Sequence, residues 1–385
     1  MLLDVSPLGR PVEAGAAWFN GFRAQGAVEC VDVAAEPERV AAGGFWAVVG
    51  DFEGPVRAWR FADVQRGPGP EAKMSAADSS HASPAPQRWH GPAPSSWSTS
   101  LDRAAYVDAV EVVRQEIRAG QVYQANICRI LVAPCPGGGA AGEPDAHGLA
   151  AALAAGNPAP YAGGVHVPAS SGLPPTWVVT ASPELFLRLD GDLVTSAPIK
   201  GTATTAAGLQ GKDRAENVMI TDLVRNDLQR VCTPGTVEVV SLLAVERHPG
   251  LFHLVSTVQG RLTPAVLAAP DRWAQILAAT YPPGSVSGAP KSSALRLIGA
   301  RERVPRGPYC GVVGWIDADA GRAELAVGIR TFWWTADDAA PGAARAGALH
   351  FGTGAGITWG SDPEAEWAET ELKASVLIAL ASTGR

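Results

Sequence analysis

The segment ELFLRLDGDLVTS (184–196) constrains this chain most. Two apolar runs of period two flank Asp190-Gly191, a pair suited to a type I′ turn, so the segment reads as a β-hairpin. A second hairpin is written in FWAVVGDFEGPVRAWRF (45–61), turning about Glu53-Gly54. Between such hairpins the periodicity changes. Tyr106, Val107, Val110, Val113 and Ile117 recur at helical spacing, with Ser100 as the expected N-cap and Gly120 as the stop. QVYQANICRILV (121–132) then reads as a strand with Val122, Gln124, Asn126 and Cys128 on one face. KDRAENVMITDLVRNDLQRV (212–231) reads as a helix with Glu216, Ile220, Leu223 and Asp227 on one stripe. Further strands are expected at 236–245, 251–261, 309–317 and 322–333. A last helix opens at SDPE, where Ser361 and Glu364 fit a capping box. Hairpins followed by amphipathic helices predict an α+β fold of large, mostly antiparallel sheets with helices outside.

Three regions follow from composition. Residues 1–66 read as a small strand-rich N-terminal region, and 67–98, dominated by Gly, Pro, Ala and Ser, as a flexible linker or long loop. Residues 99–385 form the main domain, with two more loops at 134–146 and 335–348. The net charge of −7 disfavours a nucleic-acid partner, because phosphate binding calls for excess cation. No apolar stretch approaches the roughly 20 residues that cross a bilayer, and the first residues lack a basic segment followed by an apolar run. The expectation is a cytoplasmic protein that binds no membrane. Five scattered cysteines without a CxxC pair indicate neither a disulfide scaffold nor a thiolate zinc site.

Of 31 cationic residues only five are lysine: Lys73, Lys200, Lys212, Lys291 and Lys373. Lysine, unlike arginine, can lose its proton and attack carbon, which ranks these positions for chemistry. Lys200 lies in SAPIKGT, after a strand and before a glycine turn. Read alone it is either a solvated loop lysine or a nucleophile. Glu366, Glu369 and Lys373 share one helix face, either as a solvated face with one ion pair or as part of a site. Just upstream, GTGAGITWG (352–360) lets backbone N–H groups approach a ligand. Glu216 sits on the stripe of Ile220 and Leu223, so it either favours the helix start or needs a cation, and Mg²⁺ suits carboxylates from separate helices. His253 alternates with apolar residues, and Arg330 lies within an apolar strand where a guanidinium wants an anionic partner.

These features occur in one order with longer motifs: GQVYQANICR (120–129), SPELFL (182–187), PIKGT (198–202), KDRAENVMITDLVRNDLQRVC (212–232), HLVSTVQG (253–260), YPPGSVSGAPK (281–291), RGPYCGVVGW (306–315), IRT (329–331) and GTGAGITWGSDPEAEWAET (352–370). Together they resemble the chorismate-utilising enzymes: component I of anthranilate synthase and of aminodeoxychorismate synthase, and the isochorismate and salicylate synthases. The resemblance covers about residues 101–385 and implies a large α/β sandwich of two stacked antiparallel sheets with outer helices.

Two positions discriminate within the family. Gln124 stands where isochorismate-type enzymes carry a water-activating lysine, so direct hydration of the ring is not expected. Anthranilate synthases read PIAGT where this chain reads PIKGT, the form that marks aminodeoxychorismate synthase component I. The resemblance thus implies Mg²⁺-dependent 4-amination of chorismate through a covalent lysine adduct, towards 4-aminobenzoate and folate. Carried over residue by residue, Lys200 is the nucleophile, Glu184 the general acid, and His253 falls among the catalytic residues. Glu216 and Glu369, with Glu366 close by, would hold Mg²⁺. Gln124, Gly201, Thr202, Tyr309, Arg330, Gly354, Ala355, Gly356 and Lys373 match substrate-binding positions.

The chain also departs from the family. ATTAAG follows PIKGT where an arginine is usual, Gln121 replaces an acidic residue, and residues 1–66 match poorly, with no clear tryptophan-binding signature. No GxCxG turn or His-x-Glu pair supplies a glutaminase, so ammonia is expected from a separate glutamine amidotransferase subunit. The alternatives are an anthranilate or 2-amino-2-deoxyisochorismate synthase component I, or a non-catalytic chorismate-binding or docking subunit.

Overall fold

A computed structural model describes residues 15–67, 89–137, 142–203, 205–209, 211–248, 251–337 and 346–382. Among these, the period-two runs become eighteen strands: β1 (Ala16–Phe19), β2 (Phe22–Asp32), β3 (Phe45–Gly50), β4 (Val56–Arg66), β5 (Ser98–Thr99), β6 (Gln124–Pro134), β7 (Tyr161–Val167), β8 (Thr176–Ser182), β9 (Leu185–Asp190), β10 (Leu193–Ala197), β11 (Ile199–Ala203), β12 (Glu238–His248), β13 (Leu251–Arg261), β14 (Gly288–Ala289), β15 (Val312–Asp317), β16 (Arg322–Val327), β17 (Thr331–Ala336) and β18 (Gly347–Ile357). Eight α-helices accompany them: α1 (Pro37–Ala41), α2 (Arg103–Arg118), α3 (Ala146–Gly156), α4 (Gly211–Gln229), α5 (Pro264–Ala268), α6 (Arg272–Thr280), α7 (Lys291–Arg301) and α8 (Pro363–Ala381). None of the described helices is long and apolar enough to cross a membrane.

The fold is the expected α+β type. Antiparallel pairings link all the strands in the order β6-β18-β17-β8-β7-β1-β2-β4-β3-β15-β16-β9-β10-β13, with β5 and β14 beside β6, and β11 and β12 both on β13. The two expected sheets are therefore hydrogen-bonded into one. Residues 15–66 supply β1–β4 to its middle, since β1 pairs with β7 and β3 with β15. Although β6 and β11 lie near opposite ends of this order, Gln124 of β6 touches Glu216 of the helix that packs on β11. The sheet folds back on itself to bring its ends together, and the site forms at that closure.

Local chemistry explains the boundaries. The β9–β10 hairpin pairs Asp190 with Leu193, so its two-residue turn is Gly191-Asp192, one position later than the sequence suggests, with Gly191 at φ +60°. Asp102, not Ser100, caps α2 by accepting from Ala105 N–H, while the Ser100 hydroxyl accepts from Ile130 N–H. Asp362, not Ser361, caps α8, accepting from Glu364 and Ala365 N–H. The run 322–333 breaks into β16 and β17 at Arg330, whose φ is +52°. In α4 the stripe faces inward as expected: Ile220 is fully buried, a burial worth roughly 1.5–3 kcal/mol.

The loop expected over 67–98 falls largely outside the described residues, but its last part is packed. Trp89 is buried and its indole N–H donates to Ala381 O at 2.8 Å, and Trp97 donates to Ser382 Oγ at 3.0 Å. Two indoles thus cover the C-terminal end of α8, satisfying a carbonyl that the helix itself leaves open.

Candidate active site

The strand β11 carries Lys200 into the closure, and Gly201 beside it takes φ +86°, with Asp213 Cβ 2.7 Å from where a side chain would start. Lys200 Nζ lies 3.0 Å from Glu216 Oε1, both side chains being less than one-fifth exposed. Gln124 Nε2 donates to that same oxygen at 2.7 Å. Gly356 closes this group from β18: a Cβ there would lie 2.4 Å from Gln124 Nε2, 2.7 Å from Glu216 Oε1 and 3.1 Å from Lys200 Nζ. Three polar side-chain ends therefore converge on the space that the missing side chain leaves open.

Glu184 is buried just before β9, among Phe186, Val224, Leu228 and Val327. Burial raises its pKa to about 7, against a hydrogen bond from Ser285 and the nearby charges of Lys200 and Lys373, which favour the carboxylate. A carboxyl poised there can hold a proton at neutral pH and release it, as a general acid must. His253 is buried on β13 and pairs in register with Thr202, beside the strand of Lys200.

The α8 face carries Glu366, Glu369 and Lys373. Lys373 Nζ bonds Glu369 Oε1 at 2.6 Å and donates to Gly354 O at 3.0 Å, tying α8 to the glycine strand. Burial pushes the Glu369 carboxyl up, but the Lys373 ammonium outweighs it and holds the group below its ordinary value. Glu366 is buried, which raises its pKa, and it is bonded by Ser361. Ala355 is buried in β18, and the Tyr309 ring packs on Gly352, where a Cβ would fall 2.0 Å from the ring. Burial lowers the Arg330 pKa, and among the described residues no carboxylate pairs with it. An unpaired guanidinium beside a glycine-lined strand suits a substrate carboxylate.

Among the described residues no three acidic, histidine or cysteine side chains are gathered closely enough to hold a metal. Glu216 and Glu369 are instead neutralised by Lys200 and Lys373. The donor chemistry nevertheless fits a hard divalent cation, because all three groups are carboxylates and each lies beside positive charge that such an ion could replace. Two contributors escaped the sequence reading. Ser285 carried only its place in YPPGSVSGAPK, and Lys212, whose charge acts on Glu366 and Glu369, only its rarity.

Solved structures share this antiparallel fold. Anthranilate synthase component I from Streptococcus pneumoniae matches with a TM-score of 0.68 and 22% identity, covering 98% of this chain and 94% of that one. The menaquinone-specific isochorismate synthase from Escherichia coli matches with a TM-score of 0.71 and 18% identity, over 96% and 89% of the two chains. The family model for chorismate binding enzymes matches residues 57–379, and the chain belongs to that family. Anthranilate synthase component 1 of Streptomyces coelicolor is 35% identical over 82% of this chain and 57% of its own length. Aminodeoxychorismate synthase component 1 of Salmonella typhimurium is 32% identical over 74% and 59%. The chain spans about half the length of the first curated relatives it matches.

Proposed function

We propose that this chain catalyses the Mg²⁺-dependent 4-amination of chorismate to 4-amino-4-deoxychorismate, as a cytoplasmic enzyme on the way to 4-aminobenzoate and folate. The observation that carries the reading is Lys200, held 3.0 Å from Glu216 where anthranilate-type chains carry alanine. Its amine, deprotonated, would form a bond to C2 of the ring as both double bonds of the ring diene shift by one position and the C4–O bond breaks. Glu184 would give its proton to the departing hydroxyl, releasing water. Ammonia would then bond to C4, the C2–N bond would return its electron pair to Lys200, and Glu184 would take back the proton lost by the new amine. Two easier displacements replace one hard one.

Glu216, Glu366 and Glu369 would hold Mg²⁺, which when bound would draw charge from the ring carboxylate. Arg330, Tyr309 and the backbone of Gly201, Thr202, Gly354, Ala355 and Gly356 would orient the substrate carboxylates, with Gln124 and Lys373 fixing the carboxylates around them. Ammonia would come from a glutamine amidotransferase partner, in keeping with relatives named as component 1. The second reading, anthranilate synthesis, is favoured by the names of six relatives with 34–39% identity, although another at 36% is named aminodeoxychorismate synthase. Mass spectrometry of products from chorismate, Mg²⁺ and ammonium, with and without an aminodeoxychorismate lyase, separates the two. The proposal expects a product that becomes 4-aminobenzoate only with the lyase; anthranilate would overturn it.

A further inference from the structure

Lys291 is one of the five lysines, and Asp227 shares a stripe with Glu216, yet neither takes part in the steps above. Their place in the fold is at a loop. Lys291 Nζ bonds Asp227 Oδ2 at 2.8 Å and donates to Thr280 O at 3.1 Å, so it ties the two ends of residues 280–291 to each other and to α4. The loop is held between those ends as well. Tyr281 O–H donates to Asp51 O at 2.6 Å, and Ser287 Oγ–H donates to Pro283 O at 3.0 Å. Gly288 and Ala289 pair with Ala125 and Gln124 of β6. A segment fixed at so many points keeps the side chains of its middle in one place.

What that middle carries is Ser285, buried in a 3₁₀ turn (Gly284–Val286). Ser285 and Glu184 line the same small cavity, about 20 Å³, whose other walls include Phe186, Val224, Leu228 and Val327. The Ser285 hydroxyl donates to the Glu184 carboxyl, and Ile199 N–H is a second donor. Lys200 from β11 and Lys373 from α8 act on the same carboxyl and favour its ionised form. Asp227 of α4 borders the cavity, with its own charge balanced by Lys291. When Glu184 gives up its proton in these buried, apolar surroundings, it becomes an anion that bulk water does not reach. A donor fixed there binds the anion more strongly than the neutral acid, so its help grows as the proton departs.

We propose that Ser285 is a positioning residue for the proton donor: its hydroxyl stabilises the Glu184 carboxylate as that anion forms, and the loop tied off by Lys291 holds it there. The inference rests on Glu184 as the general acid and deepens that reading. The O–H bond of Glu184 breaks toward the departing hydroxyl, which leaves as water, while the Ser285 proton stays on its own oxygen. When Glu184 takes its proton back, the bond from Ser285 weakens again.

The test follows chorismate consumption against pH, whichever amine forms, in wild type, Ser285→Ala and Ser285→Thr. Without the hydroxyl, Glu184 becomes a weaker acid. Ser285→Ala is therefore expected to lower the rate plateau below the alkaline limb, by up to about tenfold, and to move the limb up by about one pH unit. Ser285→Thr, which keeps a hydroxyl, should return both toward wild type. In a Glu184→Gln background, Ser285→Ala should change the rate by less than about twofold, because the group it acts through is gone. A lowered plateau with the limb in place, or an equal loss in both backgrounds, would mean that Ser285 only packs, and would overturn the inference while leaving Glu184 as the acid. A wild type with no alkaline limb, or a limb that survives in Glu184→Gln, would overturn the general-acid reading and this inference with it.

Discussion

Lys200 Nζ and Gln124 Nε2 converge on one oxygen, Glu216 Oε1, at 3.0 and 2.7 Å. β6 and β11, far apart in the order of pairing, are thereby joined through a single carboxylate of α4. The contact that closes the sheet is also the one that positions the candidate nucleophile, so architecture and chemistry depend on the same atoms.

Gly356 should not tolerate alanine. Its Cβ would intrude to 2.4 Å from Gln124 Nε2 and 2.7 Å from Glu216 Oε1, displacing the group by a few tenths of an ångström or more. A displacement of reacting groups on the order of 1 Å costs roughly 100-fold. Gly356→Ala is expected to lower kcat/KM by up to about 100-fold, with an unchanged far-UV circular dichroism spectrum. Wild-type turnover in this variant would show that the crowding is not functional.

Glu184 predicts a pH limb. A general acid with a pKa of about 7 is lost as pH rises through 7, so the rate should fall on the alkaline side, and Glu184→Gln should be slow without that limb. Stability moves the same way. The folded pKa lies above the ordinary value of 4.5, so burial is neutral at low pH, and its cost grows between 4.5 and about 7 as the unfolded chain alone ionises. Glu184→Gln should therefore raise Tm relative to wild type more at pH 8 than at pH 4. An equal Tm difference at both pH values would contradict the raised pKa.

Arg306 is fully buried over the Phe52 ring and bonds Glu302 through two nitrogens at 2.6 and 2.7 Å. It also donates to Val286 O and Asn126 O, while Glu302 accepts from Cys128 N–H behind the glycine strand. Arg306→Met leaves Glu302 buried without its cation, at a cost of about 3–5 kcal/mol in urea unfolding. A loss below about 1 kcal/mol, the scale of an exposed pair, would mean the network is solvated.

Mg²⁺ should be needed both for turnover and for added stability. Excess EDTA is expected to stop the reaction, and Mg²⁺ restored in excess should raise Tm in the wild type but less in Glu369→Ala. Full turnover in EDTA, or an equal Tm rise in the variant, would remove Glu369 from the metal site.

The strands and helices that alternate cleanly were legible because a buried face imposes its period on the sequence. Strand β13 and the inward stripe of α4 follow the periodicity. Caps were misread where two candidates stood together: Ser361 and Asp362 are adjacent, and only the backbone decides which oxygen reaches the helix N–H groups. Arg330 looked like part of one strand because its break is a left-handed backbone turn at a residue type that rarely takes one. In the site, motif order brought Lys200, Glu184 and Glu216 to notice, whereas Ser285 acts only through a neighbour 101 positions away in the chain. No local pattern encodes such a contact.

The central claim is that Lys200 forms the bond that directs ammonia to C4. The most direct measurement compares wild type and Lys200→Ala with chorismate, Mg²⁺ and ammonium, scoring 4-amino-4-deoxychorismate by mass spectrometry and lyase conversion. The account predicts that the variant folds, binds chorismate and makes none of this product. Lys200→Ala that forms 4-amino-4-deoxychorismate at the wild-type rate would contradict it.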